Sequence, residues 1–503
     1  MVATRDITTA DGVVRGRRGN RVSRWRSIPY AAPPLGDLRF RAPRPVDPWS
    51  GVRQATAFTS AAMQHRSGAR TGPRSFQPTS EDALTLNVTM PTRPSAVPRP
   101  VLLFIHGGGY LTGTSALALY SGSRLALRGD AVVVSLNYRL GAFGYLDFSE
   151  FGTPEHPFDT NLGLRDQVAA LEWVRTNIAA FGGDPDNVTI FGESAGAHAV
   201  LTLLTTPAAN GLFHRAIAQS APADWAVTAD EARVFARRCV AALGATPDTA
   251  TTALRTAGAN DIRRAVDRTI NQVLREQPGL YPACPVVDGD YLPRAPIDAI
   301  SAGTAHRVPL IIGTTRDEGT LFARFIDELP TSPERLRTAL AGSGDNAESR
   351  IAAAYSGYPR SKAAVRAGGD FTFWRPSVTV MEGHSRHAPT YAYRYDFAPR
   401  ALHLAGLGAT HASDLIPVFG AADSPFGRTL TAAGGRRGLL AVTDQFQDNW
   451  LAFARSGTPL PSWPAYTAER RTTLIIDYPT RLEHDPETAK RLAWQGVRAP
   501  TLV

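Results

Sequence analysis

Cysteine is almost missing from this chain of 503 residues, and the two present are Cys239 and Cys284. Two thiols exclude a disulfide framework, and their spacing suits no zinc site, so both read as small buried residues. Lysine is as scarce: Lys362 and Lys490 are the only two among 54 basic residues. Arginine therefore carries the net charge of +9. It is scattered rather than clustered, and no nucleic-acid motif accompanies it, which argues against nucleic-acid binding. The pattern, with abundant alanine and proline, reads as a coding bias and stays compatible with anionic substrates. No apolar run approaches transmembrane length, and the N-terminal Met-Val-Ala-Thr-Arg-Asp lacks the apolar core of a signal peptide. The expectation is a cytoplasmic protein with no membrane partner, secretion remaining open if a leader was removed. Repeats and low-complexity tracts are absent too. At 43% hydrophobic and 20% charged residues, the composition excludes a disordered chain.

Length alone suggests about three domains. The chemistry-bearing residues argue instead for one, spanning 1–503, because they run from His106 to His411 and can meet only in one large core. Residues 1–55 alternate short strand-like pieces with turns, and 60–80 read as an exposed, arginine-bearing loop. Leu84 to Val88 reads as a strand. Val101–Ile105 and Ala131–Tyr138 are apolar runs of strand length, and Leu162–Ala180 has helical periodicity up to Phe181-Gly182-Gly183. Alternation of this kind predicts a mostly parallel sheet with helices on both faces. Helical insertions are expected around 225–280, with no strands, and around 321–375. Val308–Gly313 and Thr390–Phe397 read as further strands, and Asp444–Gly457 as an amphipathic helix.

The centre of the reading is Gly192-Glu193-Ser194-Ala195-Gly196. It follows the β-branched and aromatic run Val188–Phe191 and precedes a small-residue helical stretch from Ala197. G-x-S-x-G between strand and helix is a nucleophile elbow: the turn is so tight that the residues two before and two after the serine must lack a Cβ. The helix N-terminus behind it favours developing negative charge. His106-Gly107-Gly108-Gly109 follows the Val101–Ile105 strand, where glycines let backbone N–H groups approach a reacting carbonyl. With the N–H of Ala195, such a loop makes an oxyanion hole. A serine nucleophile needs a base and an orienting acid, which in this fold follow in the order acid, histidine. Glu318, after the Val308–Gly313 strand, suits the acid. His411 suits the base by position, but spacing leaves His384, His387, His403 and His484 as alternatives.

These motifs resemble the type-B carboxylesterases, a family of para-nitrobenzyl esterases, animal carboxylesterases and cholinesterases. The likeness covers nearly the whole chain. It rests on Arg39-Phe40, Ser80-Glu81-Asp82, Leu86-Asn87-Val88, His106 to Tyr110, Asn137-Tyr138-Arg139, Asn161 to Leu164 and Asp166-Gln167. It continues through Phe181 to Pro185, Gly192 to Ala197, Gln219-Ser220, Val287-Asp288-Gly289, Asp317-Glu318-Gly319 and Trp463 to Tyr466. The resemblance implies an α/β-hydrolase with Ser194 as nucleophile, His411 as general base and acid, and Glu318 as orienting carboxylate. It implies Gly108, Gly109 and Ala195 as oxyanion donors, with Glu193 and Ser220 beside the triad. Trp225 and Tyr281 fall near the family's acyl-pocket positions, and Phe373 or Trp374 is expected to line the same gorge. Arg39–Glu81 and Arg139–Asp166 match the family's structural salt bridges.

Three departures bear on function. Ala83 stands where the family commonly has a cysteine, so the early loop has no covalent staple. Arg165 replaces an apolar residue before Asp166-Gln167. Residues 60–80 hold no tryptophan to bind a quaternary ammonium, which argues against choline esters. The expected activity is hydrolysis of short- to medium-chain carboxylic esters through an acyl-enzyme, by a monomer or homodimer, with a small-molecule ester as partner and no metal or organic cofactor. An acyltransferase or cyclase using the same acyl-enzyme is the alternative. A non-catalytic cholinesterase-like binding protein is a third reading, disfavoured by the intact triad residues.

Overall fold

The structure, a computed structural model, describes residues 3–326, 329–344 and 346–501. The chain forms two compact units. One takes the residues up to Arg215 with Ala226–Ile270 and Pro282–Arg294, and the other takes Ala216–Trp225, Asn271–Tyr281 and the chain from Ala295 onward.

In the first unit, the strands Thr4–Thr9, Gly12–Arg18, Val22–Pro29 and Thr85–Pro91 pair antiparallel in that order. Thr85–Pro91 pairs antiparallel with Val132–Leu136, and from there the pairing turns parallel. Val132–Leu136 flanks Arg99–Ile105, which flanks Gly183–Glu193, with Val101 opposite Val188 and Ile105 opposite Gly192. That register sets the start of the glycine run beside the serine turn. These parallel strands are valine-, leucine- and isoleucine-rich and buried along most of their length, as strands covered on both faces must be. The Leu162–Asn177 helix continues as a 3-10 turn to Phe181 and stops at Gly182, close to the expected end.

The second unit has its own parallel run. Arg215–Gln219, Leu310–Thr315, Thr390–Tyr395 and Thr472–Ile476 pair in that order, and Arg481–His484 closes it antiparallel. Helices occupy Gly319–Phe325, Pro333–Leu340, Ala347–Ala354, Ser361–Gly369 and Arg375–His384, the last two joined by a π-helical turn at Asp370–Trp374. The C-terminal amphipathic helix is longer than expected, Arg436–Ser456, and ends at Gly457 in the left-handed region.

Two local expectations need correction. The 60–80 stretch is not wholly irregular: Ala61–Ala62 pairs with Thr79–Ser80, and Arg70–Gly72 with Ser75–Phe76, each too short for apolar periodicity to announce. The helical stretch from 225 also contains strand, since Val227–Thr228 pairs with Val286–Val287 before the capped Ala229–Ala242 helix.

Candidate active site

Ser194 sits in the first unit between the Gly183–Glu193 strand and the Ala195–Leu203 helix, at φ 59° and ψ −128°. Positive φ is costly for a residue with a side chain, and strain of this kind gathers at functional sites. The flanking glycines show what holds the turn. A Cβ on Gly196 would run into the Ile105 carbonyl oxygen, and one on Gly192 would lie 2.8 Å from that same oxygen and collide with Gly196. The strand therefore presses against the elbow with no room for a methyl group. Gly107 is packed as closely, since a Cβ there would come within 2.6 Å of the Glu193 carbonyl and 2.9 Å of the Ser194 Cβ. Gly108 and Gly109 both have positive φ, 113° and 61°, so the loop turns its backbone as no other residue type readily would. Ala195 and Glu193 are buried beside the serine.

Two buried histidines in this unit have side-chain roles that the sequence did not indicate, although His106 opens the glycine motif. His106 stacks on Tyr138 at 4.7 Å between ring centroids, and the Tyr138 hydroxyl donates to the His106 carbonyl at 2.7 Å. Burial lowers the His106 imidazole to about 4, so it is neutral and anchors the glycine loop rather than charging it. His198, one helical turn after Ser194, has its Nδ1 2.7 Å from the Tyr110 hydroxyl, and burial lowers it to about 3. That bond ties the helix behind the serine to the loop that follows the glycines. Each residue stands beside a motif, Tyr110 at the end of the glycine run and His198 four residues past Ser194, but nothing in the sequence pairs them across 88 positions. The two expected ion pairs also form here. Arg139 and Asp166 join through both guanidinium arms at 2.8 and 2.6 Å, and Arg39 and Glu81 do the same at 2.8 and 2.6 Å. Removing one partner of a pair as buried as Arg139–Asp166 costs about 3–5 kcal/mol, because the other charge is stranded.

The acid and the imidazole belong to the second unit. Glu318 leads into the Gly319–Phe325 helix and is buried. Its Oε2 lies 2.6 Å from Nδ1 of His411, while its Oε1 accepts the Ser220 hydroxyl at 2.6 Å and the Thr315 N–H at 2.7 Å. Every oxygen of the carboxylate is thus fixed, and with it the orientation of the imidazole. Ser220 is itself held at positive φ, 53°, by its N–H bond to the Gly313 carbonyl. The His411 loop is pinned to the Glu318 turn by a bridge between Asp317 and Thr410. Phe373 stacks on the His411 ring at 4.4 Å and Phe322 lies at 5.0 Å, which keeps the ring in an apolar setting.

The remaining aromatic candidates divide. Trp225 and Tyr281 stack face to face, 3.9 Å apart and 7° from parallel. Trp374, next to Phe373 on the π-helical turn, points elsewhere: it packs against the cluster of Leu336, Ile351, Phe371 and Trp494. A helical step rotates neighbouring side chains by about 100°, so adjacent aromatic residues seldom serve one pocket. Among the described residues, no group of three or more His, Cys, Asp or Glu is placed to hold a metal ion, and no helix is long and apolar enough to cross a membrane.

Asp414, three residues past His411, is a further acid that no sequence pattern singled out. It is fully buried, its Oδ2 accepts both Gln219 Nε2 and the Tyr393 hydroxyl at 2.9 Å, and burial pushes its carboxyl up to about 6. A raised value means the folded chain holds this proton to higher pH than the unfolded chain, whose value is near 3.8. The cost of ionising Asp414 is therefore absent below about pH 4 and complete above about pH 6, at roughly 2–3 kcal/mol. Both hydrogen bonds end on one oxygen, which an asparagine can reproduce. Asp414→Asn is expected to be more stable than the parent at pH 8 in urea unfolding, with the gain vanishing near pH 4.

Comparison with known proteins decides the family. The profile of the carboxylesterase family matches residues 3–494. The chain belongs to the carboxylesterase family. It is 39% identical over 492 residues to the para-nitrobenzyl esterase of Bacillus subtilis (strain 168), covering 96% of this chain and 97% of that protein. It is 35% identical to the phenmedipham hydrolase of Pseudarthrobacter oxydans over 474 residues, 90% of this chain and 91% of that one. With mouse (Mus musculus) liver carboxylesterase 1 the identity is 33% over 522 residues, 94% and 88% of the two chains. A solved para-nitrobenzyl (PNB) esterase superposes with a TM-score of 0.87 at 38% identity, over 98% of this chain and 99% of that one. A Geobacillus stearothermophilus carboxylesterase gives 0.85 at 35% identity, over 97% and 100%. The fold of this carboxylesterase is the α/β-hydrolase fold, and the protein is a carboxylic ester hydrolase.

Proposed function

We propose that this carboxylesterase hydrolyses short- to medium-chain carboxylic esters, aryl esters included, through an acyl-enzyme on Ser194. In this reading Ser194 Oγ attacks the ester carbonyl while Nε2 of His411 takes its proton. Glu318 holds the imidazole so that Nδ1–H donates to the carboxylate and Nε2 is left as the base. The N–H groups of Gly108, Gly109 and Ala195 receive the oxyanion. The alcohol leaves with the proton from His411, and water then repeats the steps to release the acid. Glu193 helps to order that water, and Ser220 fixes the acid.

The observation that carries the reading is the 2.6 Å bond between His411 Nδ1 and Glu318 Oε2, in a family whose serine here occupies a strained elbow. Among the described residues, no other histidine downstream of Glu318 is so placed. A relative named para-nitrobenzyl esterase supports esters of an aromatic alcohol. Phe373 on His411 and the Trp225–Tyr281 stack supply the apolar surface an acyl chain would use.

The test is a panel of para-nitrophenyl esters from acetyl to dodecanoyl, run with and without an added alcohol acceptor. The free acid should dominate the products, with kcat/KM greatest for the shorter acyl groups. Acyl transfer outrunning hydrolysis would move the reading to an acyltransferase, and no turnover of any ester would end it.

A further inference from the structure

The second unit carries a cleft of about 680 Å³ beside Asp317, walled by the Gly319–Phe325 helix, the Ser361–Gly369 helix and the loop that leads to His411. Four permanent cations line it, Arg316, Arg324, Lys362 and Arg366, with His403 on the short Arg400–Leu404 helix, against one carboxylate, Asp317. Scattered arginine was the rule in the sequence, and one of its only two lysines falls here, so this concentration belongs to the fold rather than to composition. The single carboxylate is also heavily shared. Asp317 Oδ2 accepts Arg316 at 3.0 and 3.1 Å and the Ala409 N–H at 3.1 Å, while Arg366 stands 3.7 Å from Oδ1. Arg324 donates to the Ala405 carbonyl at 2.8 Å. Among the described residues, no carboxylate pairs with Lys362 or Arg324.

We infer that this cleft is a binding site for a small organic polyanion, one bearing two or more phosphate or carboxylate charges. The volume is that of a small-molecule site. A concave wall of one sign focuses potential and attracts the opposite charge, and guanidinium groups match phosphate and carboxylate oxygens in pairs. Ala323, Val365 and Leu407 add apolar wall beside the cations, room for the carbon skeleton of such a ligand. A single-charged ion would leave most of the positive charge unanswered, which is why the site favours polyanions. Its position gives occupancy a structural consequence. Thr320 Oγ1 lies 2.7 Å from the Leu407 carbonyl oxygen and 2.8 Å from the Thr410 hydroxyl, so the cleft's walls and the Glu318–His411 pair share one hydrogen-bonded frame. A ligand bridging both helices to the 406–408 loop would stiffen that frame.

The test is calorimetric titration of the full-length protein with pyrophosphate and with citrate, at ionic strength held constant with sodium chloride. Saturable binding of at least one probe is expected, and a saturable rise in melting temperature with it. Lys362→Gln combined with Arg366→Gln, both changes at solvent-accessible positions, should weaken binding by roughly tenfold or more while leaving ester hydrolysis without ligand unchanged. Ser194→Ala should bind the probes as the parent does, so failure of the proposed ester mechanism would not disturb this result. No saturable binding to the parent protein, or equal binding by the double variant, overturns the assignment.

Discussion

Ser194→Ala is expected to lower hydrolysis of para-nitrophenyl acetate by roughly 10⁵–10⁶-fold while the protein stays folded, as removal of the nucleophile does in comparable triads. The substitution deletes one oxygen at a turn whose geometry is set by its neighbours. Gly192 and Gly196 meet the Ile105 carbonyl, and the Ser194 carbonyl accepts the His198 N–H at 3.0 Å, none of which involves the hydroxyl. Alanine at φ 59° bears the same backbone strain as serine. Circular dichroism and urea midpoints should therefore match the parent, which separates lost chemistry from lost structure. The residual rate would come from the oxyanion donors and binding alone. An organophosphonate supplies the positive counterpart: it should add covalently to the serine of the parent protein and leave the variant unlabelled. Retention of a tenth of the parent activity, or label mapped to another residue, would rule Ser194 out.

The elbow was legible because its requirements are local. A strand-length apolar run, two glycines flanking a serine at fixed offsets and a small-residue helix are all contiguous from Val188 to Leu204, whereas the register that sets Gly192 beside Ile105 comes only with the pairing of two separate strands. The imidazole was not legible in that way. Spacing left His384, His387, His403 and His484 beside His411, and only the family resemblance chose. In the structure these histidines differ in what they touch. His384 Nε2 is bonded to the Val308 carbonyl at 2.9 Å, His484 pairs with Thr472 at 3.0 Å across two antiparallel strands, His403 lines the cationic cleft, and His387 packs against Gly303. His411 is the one of these set on a buried carboxylate. Asp414 and the Tyr110–His198 bond lay beyond sequence reasoning because their partners, Gln219 and Tyr393 for one and a residue 88 positions distant for the other, are brought together only by the fold. The same holds for Trp374, whose neighbour Phe373 was equally plausible until the π-helical turn turned one ring towards His411 and the other away.

Glu318→Gln is expected to cost roughly 10⁴-fold in kcat with little change in stability, because it reverses the imidazole's hydrogen bonding rather than removing it. The carboxylate's Oε1 receives two donors, the Ser220 hydroxyl and the Thr315 N–H. A glutamine must turn its carbonyl oxygen to those donors, since its amide nitrogen offers only hydrogens. The amide NH₂ then faces His411 and donates to Nδ1, which forces the proton onto Nε2. An imidazole protonated at Nε2 cannot accept the proton of the attacking serine, so the base is lost although every side chain is present. Ser220→Ala provides the graded control: it removes one of the two donors, leaves the carboxylate charge, and should cost only about tenfold. The ordering is therefore fixed in advance, with Ser220→Ala the milder change, and both should be read as kcat at saturating para-nitrophenyl acetate. A Glu318→Gln protein within tenfold of the parent would mean that His411 does not depend on that carboxylate for its tautomer, and the assignment of base and acid would have to be redrawn.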